Sequence, residues 1–217
     1  MVWDWNGTLF DDFEQVVSAV NEGLAPYGLG PITATHYRDH YTRPVKRFYD
    51  SLFGREVADA EWADLDRRFH EAYRRLLPTA RPAAGAEEVL ETLAGRGVTQ
   101  SLLSMYPHDE LVVLVRRFGL HPWFVATDGL RGRPGDRKAA HLAAHLDRIG
   151  VDAASVLVVG DALDDAEAAA AVGAACVLYD SGSHHRAHLE EAGVPVVESL
   201  LDVVTHLAEG QSSDRRS

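Results

Sequence analysis

Two groups of acidic residues have the types and spacing for chemistry. The first is Asp4, at the head of Asp4-Trp5-Asn6-Gly7-Thr8-Leu9; the second is Asp161, Asp164 and Asp165, in Gly160-Asp161-Ala162-Leu163-Asp164-Asp165. Each follows an apolar run, Met1-Val2-Trp3 or Val156-Leu157-Val158-Val159. A carboxylate at the end of a buried strand is costly unless a cation meets it. Asp4, beside the backbone amides of the turn that follows, suits attack on phosphorus, with a metal ion offsetting the repulsion between nucleophile and substrate. Asp4 together with two or three carboxylates of the second group would form the hard, oxygen-rich pocket that magnesium takes. Simpler uses exist. Asp4 and Asn6-Gly7 suit an ordinary strand end and turn, and Asp161 or Asp164 can cap a helix starting near Leu163. Capping accounts for one of these three acids but hardly for all of them beside a buried strand.

Two further residues are candidates by position. Ser104 ends an apolar strand pattern and can donate its hydroxyl to a phosphate oxygen, although serine at a strand end is ordinarily a turn former. Lys138 opens a helix, where a cation opposes the helix dipole and gains nothing locally. It is either a solvated surface residue or one that reaches inward to neutralise a phosphoryl group. Only Lys46 and Lys138 are lysines, against nineteen arginines.

The elements that would position these residues alternate from Gly97 onward. Strand patterns at 98–104, 123–127, 156–160 and 174–178 are separated by helix patterns at 108–118, 136–149 and 163–172. The run at 156–160 is nearly continuous in apolar residues, as in a parallel strand buried on both faces. Strands separated by helices of this length imply right-handed crossovers and a doubly wound, Rossmann-like parallel sheet.

The stretch from about 14 to 80 has no convincing strand. Trp62, Leu65, Phe69, Tyr73 and Leu76 recur at steps of three and four, as do Phe13, Val16, Val17, Val20 and Leu24. Asp11 and Glu14 have capping-box spacing ahead of the first of these helices, and Gly28, Gly30 and Pro31 break it from the next. The expected architecture is α/β: a core of residues 1–13 and 81–209, an inserted all-helical cap at 14–80 with hinges near 10–12 and 79–84, and a polar, disordered tail at 210–217.

Composition narrows the partners. The chain has 217 residues and a formal charge of −12, which disfavours nucleic acid and anionic membrane surfaces. An anionic substrate must then be drawn in by local cations or a metal. A single cysteine, Cys176, rules out an intramolecular disulfide framework and fits a cytoplasmic setting. No apolar stretch has membrane-spanning length, and no signal-peptide pattern is present. Oligomeric state is not legible. His141 and His145 are one helical turn apart and His184, His185 and His188 cluster near a loop, but neither set has carboxylates or cysteines at ligand spacing, so both are expected on solvated faces.

Taken together, Asp4-x-x-Gly7-Thr8, Ser104, Lys138 and Gly160-Asp161-x-x-x-Asp165, each acidic motif with a strand before it, resemble the haloacid dehalogenase-like hydrolase superfamily. The helical insertion after the first motif is similar to the cap of phosphoglycolate phosphatase-like members. The resemblance implies a phosphatase of a small phosphorylated metabolite, with Asp4 as the nucleophile that becomes an aspartyl-phosphate. It implies Mg2+ held by Asp4, the backbone carbonyl of Asn6, Asp161 and Asp165, with Asp164 as the rival to Asp165. Thr8 and Ser104 would contact the phosphoryl oxygens, and Lys138 would neutralise their charge and orient Asp4. Arg43, Lys46 and Arg47 of the cap would select the substrate.

Three departures from the family pattern matter. Asn6 stands where such phosphatases usually carry a second aspartate that protonates the leaving oxygen. An amide cannot exchange that proton, a loss of about 10²–10⁴ in rate. This opens a non-enzymatic alternative, a degenerate phosphate-binding member with weak turnover. The usual Lys-Pro of the third motif is absent; Lys138 lies at the better distance, and Arg133-Pro134 is the alternative. The strand before Asp4 has only three residues, short for a central strand, which would place the true start upstream. Lys46 raises a second enzymatic alternative, phosphonatase-like C–P cleavage through a Schiff base, which needs a lysine of depressed pKa. His108 would sit near the pocket mouth as a substitute proton donor.

Overall fold

The computed structural model describes residues 1–131 and 137–207. Arg133 and the tail from 210 lie outside the described residues. The chain forms two compact units, one of Met1–Asp11 with the residues from Arg81 onward, the other of Asp12–Ala80.

The apolar run before Asp161 forms β6 (Leu157–Gly160), with Val158, Val159 and Gly160 buried. Among the described residues it is one of six parallel strands, with β1 (Val2–Trp3), β4 (Ser101–Pro107), β5 (Thr127–Leu130), β7 (Ala175–Tyr179) and β8 (Val196–Val197). Their spatial order is β5-β4-β1-β6-β7-β8. Parallel neighbours need crossovers, and these are supplied by α6 (His108–Arg117), α7 (Lys138–Ile149), α8 (Leu163–Val172) and α9 (Arg186–Glu190). The doubly wound α/β sheet expected from the alternation is present.

β1 is short yet central. Val2 pairs with both Ser101 and Val158, and Trp3 with both Leu102 and Val159. Trp3 is fully buried and its indole N–H donates to Gln100 Oε1 at 3.0 Å. Flanking strands on both sides thus hold a segment too short to stand alone. Chain order reverses around β1, so the carboxyl ends of β1, β4 and β6 meet at the switch point where open α/β sheets bind ligands.

Several elements differ from the sequence reading. The strand expected at 98–104 runs from Ser101 to Pro107. The strand expected at 123–127 is displaced: His121–Trp123 is a 3₁₀ turn, and β5 begins only at Thr127. Pro122 carries no backbone donor and a fixed φ, which suits that turn and not a strand. Helix α5 (Ala86–Gly95) and strand β8 were not anticipated. Nor was the antiparallel pair β2 (Phe10–Asp11) and β3 (Arg81–Pro82), two residues each and below any periodicity signal.

The second unit contains α1 (Phe13–Leu24), α2 (Ala34–His40), α3 (Val45–Phe53) and α4 (Asp59–Leu76). Their apolar stripes meet over Val20, Leu24, Tyr37, Phe48, Tyr49, Val57 and Leu65. The Asp11–Glu14 capping box does not form. Asp11 belongs to β2, Asp12 takes the N-cap position without a capping bond, and its carboxylate accepts the Tyr73 hydroxyl instead. A buried tertiary partner has displaced the local one. Among the described residues no helix is long and apolar enough to cross a membrane.

Candidate active site

Asp4 leaves β1 at the level where its N–H still donates to Val159 O at 2.8 Å. Asp161 follows the last residue of the adjacent β6. Asp165 lies one turn into α8 and reaches back, its Oδ2 accepting the N–H groups of Asp161 and Ala162 at 3.2 Å each. That is the reach-back half of a capping arrangement, so the helix-capping role falls to Asp165 rather than to Asp161 or Asp164. One carboxylate oxygen from each of Asp4, Asp161 and Asp165 lies within 4.8 Å of the others, and Asp164 is not part of that group. Two glycines make this crowding possible. A Cβ on Gly7, whose φ is +71°, would stand 2.1 Å from Asp161 Oδ2, and one on Gly160 would stand 2.0 Å from Asp165 Cγ.

Lys138 is the cation among these acids. It is the first residue of α7, and its Nζ lies 2.9 Å from Asp4 Oδ1 and 2.5 Å from Asp165 Oδ1. Its side chain is only 9% exposed, so the position that gains nothing from the helix dipole is held by tertiary ion pairs.

Among the described residues, three carboxylates surround one ammonium. Burial pushes the Asp4 carboxyl up to about 7, with Lys138 opposing the shift and Asp165 adding to it. Burial, then the charges of Asp165 and Asp4, hold Asp161 well above the usual carboxylate range. Burial also raises Asp165, against the pull of Lys138. Burial works against the charge on Lys138 as well, but Asp165 and Asp4 outweigh it and keep the ammonium above its usual range. A divalent cation among the three oxygens would relieve this repulsion, and an all-oxygen donor set suits a hard ion such as Mg2+. The residues present therefore fit such an ion.

The remaining predicted residues have distinct surroundings. Thr8 is fully buried and its hydroxyl donates to Asp161 Oδ1 at 3.4 Å, so it braces an acid of the cluster. Asn6 is half-buried in the loop closed by Gly7 N–H to Phe10 O (2.9 Å) and Phe10 N–H to Trp5 O (2.9 Å). Ser104 is buried on β4, beside β1, and its Oγ accepts the Tyr106 N–H at 3.1 Å. His108 accepts the Gly129 N–H on Nδ1 at 3.2 Å and meets Arg131 through Nε2.

Arg43, Lys46 and Arg47 belong to the helical unit, the two arginines exposed. Lys46 Nζ lies 3.0 Å from Asp59 Oδ1 and 3.8 Å from Glu56 Oε1, and the Asp59 hydrogen bond raises its pKa. Schiff-base chemistry needs the opposite shift, so these contacts do not favour the phosphonatase-like alternative.

The structure also shows residues that sequence reasoning missed. Ser183, in the loop after β7, donates to Asp161 Oδ2 at 2.8 Å. Nothing in its local pattern points to a strand end about twenty residues earlier. His145 is not on a solvated face. It is 2% exposed, with Nδ1 at 2.6 Å from Asp128 Oδ2 and Nε2 at 2.8 Å from Ser101 Oγ. Burial lowers its pKa despite Asp128, so the neutral ring donates through Nδ1 and accepts the serine hydroxyl. This bridge ties α7 to β4 and β5, seven residues (about two turns) beyond Lys138.

Comparison with known proteins agrees with this geometry. A family model described as haloacid dehalogenase-like hydrolase matches residues 1–173. A phosphoglycolate phosphatase of Agrobacterium fabrum is 30% identical over 212 residues, covering 94% of this chain and 86% of that protein. One from Synechococcus elongatus is 26% identical over 213 residues, covering 95% and 97%. Among solved structures, a haloacid dehalogenase-like family hydrolase from Streptococcus pneumoniae matches with a TM-score of 0.82 at 16% identity, covering 95% of this chain and 96% of that one. At that identity the likeness speaks for the fold alone. With its parallel sheet and a family match across most of its length, the chain belongs to the haloacid dehalogenase-like hydrolases, on their phosphoglycolate phosphatase-like branch.

Proposed function

We propose that this hydrolase is a magnesium-dependent phosphatase of a small phosphorylated metabolite, with Asp4 as the nucleophile. The observation that carries the reading is the convergence of Asp4, Asp161 and Asp165 at adjoining strand ends, with Lys138 paired to two of them. Asp4, Asp161, Asp165 and the backbone carbonyl of Asn6 would hold Mg2+, which when bound supplies positive charge against the phosphoryl oxygens. Asp4 attacks phosphorus as the P–O bond to the leaving group breaks, giving an aspartyl-phosphate and the leaving group's oxyanion, which takes its proton from solvent. Water then attacks the same phosphorus, releasing inorganic phosphate and restoring Asp4. Lys138 keeps Asp4 oriented and spreads the negative charge of the transferring group, and Ser104 offers its hydroxyl to it. The relatives named as phosphoglycolate phosphatases favour a small phosphorylated acid as substrate.

Asn6 shapes the chemistry. Its amide supplies no proton to the leaving oxygen, so substrates with good leaving groups, such as acyl phosphates, are favoured over simple esters. Phosphate release from a panel of phosphorylated acids, sugars and acyl phosphates, with and without Mg2+, tests the reading. The expected result is Mg2+-dependent release that Asp4→Asn abolishes. Release that survives Asp4→Asn overturns the assignment of the nucleophile. Mg2+-dependent binding of the panel without turnover, with turnover restored by Asn6→Asp, would identify a phosphate-binding protein instead.

A further inference from the structure

Asp161 is held from two sides. Thr8 Oγ1 reaches its Oδ1 at 3.4 Å, a long hydrogen bond, whereas Ser183 Oγ reaches Oδ2 at 2.8 Å, a normal one. The stronger support therefore comes from the loop after β7 and not from Thr8 of the Asp4 motif. That loop is braced for the purpose. Gly182, at φ +80°, turns the chain, and its N–H donates to Asp180 Oδ1 at 3.2 Å. Ser181 Oγ donates to Ser183 Oγ at 2.9 Å. A serine hydroxyl has one proton to give, and with Ser181 donating into Ser183, the Ser183 proton is directed to Asp161. The hydroxyls form a one-way chain ending on a carboxylate.

The ordinary explanation for a serine here is to cap the helix that follows. Ser183 does not do so: the N-cap of α9 is His185. The Ser183 hydroxyl proton goes to Asp161 instead. The same carboxylate packs against the backbone at Gly7, in the space a side chain would fill: a Cβ there would stand 2.1 Å from Oδ2. Its neighbours across the cluster are two further carboxylates, Asp4 and Asp165, each with an oxygen within 4.8 Å.

We infer that Ser183 is a positioning residue for divalent-cation binding, holding the Asp161 carboxylate in its cation-ready orientation before the ion arrives. This rests on the reading of the acidic cluster as a Mg2+ site. Partners that orient a metal ligand typically contribute about 10–100-fold in affinity, and Ser183 is assigned the lower end because the Thr8 hydrogen bond and the packing at Gly7 remain.

Calorimetric titration with MgCl2 tests it, on protein stripped with EDTA and without any substrate. Ser183→Ala is expected to weaken Mg2+ binding about 10-fold, while the EDTA-treated variant melts at about the temperature of the wild type. Ser183→Thr, which keeps the hydroxyl, is expected to bind as the wild type does. Equal Mg2+ affinity in Ser183→Ala and wild type overturns the inference and leaves the metal site standing. No Mg2+ binding by the wild type overturns both. If Ser183→Ala does not fold, Ser181→Ala decides the matter. It frees the Ser183 proton to point elsewhere and is expected to weaken Mg2+ binding by a smaller factor, and unchanged affinity there is equally fatal.

Discussion

Lys138 Nζ sits 2.9 Å from Asp4 Oδ1, an ion pair between the first residue of a helix and the residue that follows the first strand. Both side chains are about nine-tenths buried, and Asp165 shares the same ammonium at 2.5 Å. The pair therefore carries stability and chemistry together.

Lys138→Met leaves buried carboxylates without their cation. Loss of one partner of a buried ion pair costs about 3–5 kcal/mol, so a large drop in urea midpoint is expected at pH 8 in EDTA. At pH 5 the drop shrinks, because protonated carboxyls no longer need the lysine. Phosphate release by the variant is expected to fall to background even when Mg2+ restores its fold.

Asp4→Asn behaves in the opposite sense. The folded-state pKa of Asp4 is raised from 3.8 to about 7. Its contribution to stability is thus complete below about pH 4 and is lost as pH rises through 7. In EDTA at pH 8 the neutral amide is expected to raise stability by at most about 4 kcal/mol, because each tenfold change in an acid's dissociation constant is worth about 1.4 kcal/mol. Thermal melts at pH 5 and pH 8 read the difference. A variant that is inactive yet more stable than wild type only at the higher pH is the expected signature.

Mg2+ itself is expected to narrow that difference. At a concentration about 100 times its dissociation constant, a ligand specific for the folded state stabilises by about 2.7 kcal/mol. The melting temperature of the wild type should rise with Mg2+ and that of Asp161→Asn should not.

His145 supplies a pH dependence away from the acidic cluster. Its folded-state pKa lies below the ordinary 6.5, with burial the chief cause. As pH falls, the unfolded chain takes up this proton first. The contribution of His145 is therefore complete above about pH 6.5 and is lost as pH drops below it. Asp128, which burial would raise, is held below its usual range by His145 and Arg148 and stays ionised through that window. His145→Gln is expected to cost about 1–3 kcal/mol at pH 7.5 and distinctly less at pH 5.5, measured by urea unfolding.

Asn6→Asp tests the chemistry rather than the fold. Restoring a proton donor is expected to raise turnover of simple phosphate esters by about 10²–10⁴-fold while changing acyl-phosphate turnover little. Equal gains on both substrate types would argue against a role in leaving-group protonation.

The parallel sheet was readable because buried strands announce themselves: 156–160 is apolar throughout, and helices of regular length separate it from its neighbours. Two-residue strands such as β2, β3 and β8 carry too few side chains for any period, and Pro122 shifted β5 through a turn that periodicity does not register. At the site, the chemical type of Asp4, Asp161 and Asp165 was legible because acids after apolar runs are anomalous. Lys138 was noticeable only as one of two lysines, with nothing local to say whether it faces water or acid.

By itself the sequence determined the family, the alternating α/β plan and which acids end which strands, because these depend on residue type and on periods of two and 3.6 that neighbours in the chain already express. Only the tertiary structure decided the partners. It set Lys138 between Asp4 and Asp165, Ser183 on Asp161 and His145 between Asp128 and Ser101. Those pairings join residues far apart in the chain, and their strength comes from burial, which no local pattern encodes.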